Sequence, residues 1–257
     1  MNKSSAPAGI SSKQLLWIFL FLETLAVVIA IAKAALGGKP SFHYFGENTF
    51  VTYFSCFQLL VVAIYGWMIF RLQKRSQDPQ LVKNALFWLI VALGAFFLAL
   101  DDALSFHEQI DQWLHRVLAI EETDITDLAD DVLVGIYMSI ALACIALRWQ
   151  TLQMFRSAFN YFKIGFIVGA VMVLLDILSN NSLFVSMVTT DGSLQGKMIQ
   201  WLGIVEETAK LVAEGFFVAG VYQCWRKAKV LSSQQPLDKQ GDEGIGGRGD
   251  KGITVDH

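Results

Sequence analysis

Six apolar runs, most of them long enough to cross a bilayer, constrain this chain more than anything else in it. They lie at about Gln14–Leu36, Thr49–Phe70, Asn84–Ser105, Val132–Leu147, Phe159–Ser179 and Gly196–Trp225. A helix needs about 20 predominantly apolar residues to cross the hydrocarbon core. Lipid offers the backbone no hydrogen bonds, so only helices and closed barrels cross it. Runs of this length read as helices. Hydrophobic residues make up 54% of the chain and charged ones only 17%, too apolar a balance for a soluble domain. The expectation is an all-α integral membrane bundle of six transmembrane helices over residues 14–230, multi-pass in a bacterial-type inner membrane.

The ends and sides of this bundle are also readable. Residues 1–13 are small and polar, with Lys3 and Lys13, and read as a flexible tail. A cleaved signal peptide competes for the first run, because basic residues precede it and small ones follow at Ala32 to Ala35. That run exceeds a usual apolar region of about 7–15 residues, and Glu23 interrupts it, which favours a retained helix. Arg71, Lys74, Arg75 and Lys83 in one connection, Arg148, Arg156 and Lys163 in another, and Arg226, Lys227 and Lys229 after the last run mark the cytoplasmic side. Both termini then lie inside. The segment 106–131 carries Glu108, Asp111, Glu121, Glu122, Asp124, Asp127, Asp130 and Asp131 against Arg116 alone, and belongs outside. From Leu231 onward the composition is that of a disordered cytoplasmic tail. Its Arg248-Gly249-Asp250 triplet is what chance gives in such a composition.

Charge inside the last run is the main clue to function. Glu206, Glu207, Lys210 and Glu214 interrupt it, and a charge near the bilayer midplane costs on the order of 2.5–3.5 kcal/mol. At about 100° per residue all four share one helix face of roughly 100°, where they avoid lipid together. An intramembrane cluster of this kind is a functional site by default. With both termini inside, Glu206 and Glu207 lie around ten residues from the outer face, or ~15 Å. Asp101 and Asp102 close the third run, and Asp176 lies near the end of the fifth, at the same outer level. These acids and Lys210 are expected to line one pocket open to the outside. If the third helix continues, Asp101, Ser105, Glu108 and Gln112 share a face, with His115 near it.

Simpler readings stand beside this one. Acids at helix ends are ordinary, and Asp130–Asp131 suits the N-terminus of the fourth helix. Glu206 and Lys210, four apart, suit a structural ion pair. Glu23 and Glu214 lie in the inner half and fit either the same pocket or a separate contact. Cys56, Cys144 and Cys224 fall within apolar runs as packing residues. No basic, aromatic-laced groove points to nucleic acid. Gly94-Ala95 with Leu100-Asp101 is echoed by Gly169-Ala170 with Leu175-Asp176, a match that low-complexity apolar sequence produces by coincidence.

A membrane-embedded hydrolase of lipid or peptide substrates, metal-dependent or glutamate-type, is the leading expectation, because one outward-clustered site suits an enzyme, and two alternatives stand beside it. In a metal-dependent hydrolase, Asp101, Asp102, His107, Glu108, Asp111 and Asp176 are the candidate ligands for Zn, Mn or Fe, and a spare carboxylate serves as general base. His107-Glu108-Gln-Ile-Asp111 differs from the His-Glu-x-x-His zinc pattern by Asp111 at the second histidine position. A proton- or cation-coupled transporter or channel would use buried carboxylates beside a lysine, distributed through the membrane depth. A non-catalytic subunit or sensor would use 106–131 as a partner surface. Besides the lipid bilayer, the partners expected are a lipid or peptide substrate.

Glu206-Glu207-Thr-Ala-Lys210 resembles the Glu-Glu-x-x-Lys signature of the glutamic intramembrane protease superfamily, which includes CAAX-processing, bacteriocin-maturation and PrsW-type enzymes. The resemblance implies a membrane-embedded hydrolase in which Glu206 and Glu207 activate a water and Lys210 balances charge. It covers five residues, and the histidines available to support it, His107 and His115, precede the motif. The Asp-Asp-x4-His-Glu span end followed by Glu-Glu-x-x-Lys also resembles a bacterial membrane-protein family without an assigned activity.

Overall fold

The computed structural model describes residues 9–37, 41–46, 49–106, 109–110, 113, 116–117, 128–180, 186–189 and 191–233. They form helices only: α1 (Ser12–Gly37), a 3-10 turn (Ser41–Tyr44), α2 (Phe50–Lys74), α3 (Pro79–Leu104), α4 (Leu128–Leu147), the short α5 (Trp149–Gln153), a second 3-10 turn (Arg156–Ala158), α6 (Phe159–Asn180) and α7 (Gly192–Ser233). Four segments are long and apolar enough to cross a membrane: Ser12–Gly37, Phe50–Lys74, Pro79–Leu104 and Arg156–Leu178. Gly135–Leu147 is apolar but shorter. α7 is long enough, and its charged residues set it apart from these four. Its 42 residues extend ~63 Å, about twice the ~30 Å hydrocarbon thickness.

Local sequence explains where the helices begin and end. Asp78 caps α3, its carboxylate accepting from the Gln80 amide at 2.8 Å, and Pro79 takes the first helical position, where no amide partner is needed. Asp191 caps α7 in the same way, accepting from the Ser193 amide at 2.9 Å. The Ser193 contacts hold its exposed carboxyl below the ordinary aspartate range. At the other end of α3, Ser105 adopts the left-handed conformation (φ 52°) and donates its amide to the Asp101 carbonyl. That conformation is rare outside glycine and stops the helix. The continuous face expected through Asp101, Ser105, Glu108 and Gln112 is therefore broken at Ser105, although the Gln109 amide resumes helical bonding to the Ser105 carbonyl at 3.0 Å.

Contacts fix how neighbouring helices run. The start of α1 meets the later part of α7, Ser12 hydrogen-bonding Gln223 and the Tyr222 hydroxyl donating to the Ile10 carbonyl at 2.8 Å. Farther along, Ala30 packs in one cluster with Ile204 and Leu211, so α1 is antiparallel to α7. Ser55 meets Glu214 and Tyr65 meets Tyr222, so α2 runs parallel to α7. Gly66 against Ala92 and Cys56 against Asp102 make α3 antiparallel to α2. A Cβ at Gly66 would lie 3.2 Å from the Ala92 backbone nitrogen, so glycine there permits the close approach of α2 and α3. Phe166 packs edge-to-face on Phe217, and Phe162 fills the space beside Gly220, placing α6 antiparallel to α7.

α7 is the axis of this bundle, packed on α1, α2 and α6. The inward face of α1 shows how a membrane helix does this. Leu16, Phe19, Glu23, Ala26, Ala30 and Ala34 are buried at three- and four-residue spacing, while Trp17, Phe21, Leu25 and Val28 are exposed. Small residues face protein and large apolar ones face outward, as suits lipid surroundings. One end of the bundle gathers Lys13, Arg71, Lys74, Arg75, Arg148, Arg156, Arg226 and Lys227.

Candidate functional site

The site is built on one stripe of α7. Glu207, Lys210 and Glu214 succeed one another at helical spacing, and each turns toward a different neighbour. The Lys210 ammonium bonds Asp102 of α3 directly and lies 3.8 Å from the Glu207 carboxylate, one turn earlier on its own helix. The second distance is an ion pair without a hydrogen bond, and Glu207 Oε2 has no hydrogen-bond partner among the described residues. The other oxygen of Asp102 faces the Cys56 thiol of α2 at 3.5 Å. Asp176 of α6 lies within electrostatic reach of Glu207, as Asp101 does of Tyr137 on α4. Lys210 thus has two carboxylate partners, from α3 and α7.

A second level lies deeper. Glu214 is buried and accepts a 2.8 Å bond from the Ser55 hydroxyl of α2. Glu23 of α1 is 2% exposed and accepts a 2.6 Å bond from the Gln58 amide, which also reaches the Leu211 carbonyl of α7 at 3.4 Å. Gly215 makes this possible, because a Cβ there would collide with the Glu23 carboxylate. Burying such groups costs several kcal/mol unless they are hydrogen-bonded. Three deep oxygens, Glu23 Oε2, Gln58 Oε1 and Glu214 Oε2, have no hydrogen-bond partner among the described residues. Beyond this level, toward the basic end, Phe19, Val62, Val218 and Val221 form a buried apolar layer.

The structure sorts the expected site residues clearly. It joins Lys210, Glu207 and Asp102, brings Asp176 near them, and buries Asp101 at 5% exposure. Glu206 sits on the same helix, half-buried. The metal set fares differently. Among the described residues no three His, Cys, Asp or Glu side chains come together as a metal ion requires, and Asp102 is occupied by Lys210. His107, Glu108 and Asp111 lie outside the described residues. The deeper members were not all anticipated. Ser55 and Gln58 carry no charge and interrupt an apolar run only as single polar residues, which was their sole trace in the sequence.

A bundle of apolar helices around a buried cluster of carboxylates and one lysine defines a helical membrane protein with a polar centre. The chain belongs to the family described as Domain of unknown function (DUF8692), whose model matches residues 15–224. That range holds every member of both polar levels, from Glu23 to Glu214. No match is found among curated proteins or among solved structures.

Proposed function

We propose that this chain is a six-span inner-membrane protein with both ends cytoplasmic, and that its α7 polar column takes up a proton or cation from the outer side. Alternating helix directions and the basic residues gathered at one end support that topology. One observation carries the functional reading: carboxylates outnumber the cation at the bundle centre. Among the described residues Asp102, Glu207 and Glu214 share a single lysine, Glu23 lies on the deeper level without a cation, and deep oxygens lack a donor. A purely structural ion pair would need one acid per base. The buried apolar layer toward the basic end supports uptake from the other side. The test is reconstitution into proteoliposomes with an entrapped pH-sensitive dye and imposed proton, Na⁺ or K⁺ gradients. Uptake above that of empty liposomes, reduced in Glu214→Gln, is the expected result, and no flux with any of these ions refutes the reading.

A glutamate-type hydrolase of lipid or peptide substrates is the second reading. The contact between Lys210 and Glu207 favours it, because the Glu-Glu-x-x-Lys resemblance asks the lysine to balance that carboxylate. A metal-dependent form would draw its remaining ligands from His107, Glu108 and Asp111. Metal content by plasma mass spectrometry, wild type beside Asp102→Ala, tests that form. Turnover of lipid or peptide panels that is lost in both Glu206→Gln and Glu207→Gln would select hydrolysis over transport.

A further inference from the structure

The deep level differs from the Lys210 level in one respect that bears on what binds there. Among the described residues, no cationic side chain pairs with Glu23. The groups that face it are neutral: the Gln58 amide from α2, and the Gly215 backbone from α7. The charged residues nearby on α7 are engaged elsewhere, Lys210 on Asp102 and Glu207, and Glu214 on Ser55. The Gln58 amide nitrogen reaches both Glu23 Oε1 and the Leu211 carbonyl. A carbonyl can only accept, which fixes the amide's orientation. Glu23 Oε1 therefore receives a neutral donor, and at 2% exposure Oε2 receives none among the described residues. A buried carboxylate with one bare oxygen and no counter-charge is the costliest arrangement for such a group, and the neutral acid is the form that removes the charge.

We infer that Glu23 is a proton-binding site of the column, separate from the Lys210 cluster, and that the ion the column takes up is a proton. This deepens the transport reading and rests on it. Binding is a single step: the carboxylate takes a proton on Oε2 and becomes a carboxylic acid, while Oε1 keeps its bond from Gln58. A metal ion fits the same place poorly. Hard cations need about six or more oxygens in one shell. Among the described residues the deep acceptors without a donor are Glu23 Oε2, Gln58 Oε1 and Glu214 Oε2, three oxygens and too few for such a shell. A proton needs one oxygen.

Infrared difference spectroscopy on the full-length protein in detergent tests this, because a protonated carboxyl has a C=O band separate from the amide bands. At neutral pH the wild type should show such a band that shifts on exchange into D₂O. Glu23→Gln should remove one component with its melting temperature unchanged, since glutamine has the shape of the neutral acid. Gln58→Leu should keep that component but move it to higher frequency, because the donor to Oε1 is gone. Adding Na⁺ or Ca²⁺ at fixed pH should leave the band intact. The inference is overturned if the wild type has no such band at neutral pH, if Glu23→Gln leaves it whole, or if either cation abolishes it. Flux and band fail independently. A protein that conducts nothing can still show the band, and a cation carrier would conduct while losing it.

Discussion

Replacing Lys210 with methionine probes the charged level most directly, since it largely keeps the length of the side chain and removes the cation that Asp102 and Glu207 share. Its nitrogen lies 3.8 Å from Glu207 Oε2, where an effective dielectric of about 20 gives an attraction of roughly 4 kcal/mol before desolvation. The Asp102 contact is shorter and stronger. Burial of all three charges offsets most of this gain, so the intact cluster adds little net stability. Removing the lysine alone is different, because it leaves Asp102 and Glu207 facing each other uncompensated. Breaking a buried pair costs about 3–5 kcal/mol. The side chains keep 21%, 13% and 20% of their surface exposed, so the lower bound, about 3 kcal/mol, is expected for Lys210→Met. Adding Asp102→Asn should return about 2 kcal/mol of that loss as coupling energy. Reversible unfolding in mixed micelles, run as a double-mutant cycle, measures both values. A single-variant loss under about 1 kcal/mol, the range of exposed ion pairs, would refute the central role given to Lys210, as would strict additivity in the double variant.

Other expectations follow from single contacts. Gly215→Ala drives a methyl into the Glu23 carboxylate and should destabilise by about 1–3 kcal/mol, whereas Gly203→Ala, with open space around it, should stabilise by up to about 1 kcal/mol through helix propensity. Equal effects in thermal unfolding would contradict the packing argument. Asp191 has its carboxyl held below the ordinary range, so the cap on α7 is in force above the unfolded value of about 3.9 and is lost as pH falls through the lower folded value. Hydrogen exchange at Ser193 and Leu194 should accelerate across that acidic window, and Asp191→Asn should blunt the pH dependence. Sidedness is read with a membrane-impermeant maleimide on intact cells: Gly192→Cys should label at once, and Ser76→Cys only after permeabilisation. The opposite pattern inverts the topology.

The legible part of this molecule is the part written in charge. Glu207, Lys210 and Glu214 stand out because each interrupts an apolar run, and helical spacing alone puts them on one face. Asp101 and Asp102 stand out equally, but two adjacent residues point about 100° apart, and sequence cannot choose which reaches the lysine. Packing of α3 on α2, with Lys210 reaching across from α7, chooses Asp102. The six apolar runs were readable as helices, but composition leaves only four of them clear membrane crossings: one run is short and α7 carries the site's own charges. Ser55 and Gln58 illustrate what is not legible. Neither is charged, neither alters the period of its helix, and their roles exist only because Glu214 and Glu23 arrive from other helices.

Glu23 makes the same point in reverse, and it bears on why α1 belongs in the bundle. In sequence it is an isolated acid in an otherwise strongly apolar helix, an argument against cleavage but with no evident partner. In the fold it contacts the groups from which its function is argued: an amide from α2, and a backbone that approaches only because residue 215 lacks a side chain. A bare acid facing lipid would make α1 costly to insert, while the same acid on Gln58 and Gly215 ties α1 to α2 and α7. Three helices therefore meet at one carboxyl, with the apolar layer of Phe19, Val62, Val218 and Val221 beneath it. Under the proposed uptake, an ion passing this layer would first have to change what Glu23 touches, so the proposed protonation would couple binding to helix packing.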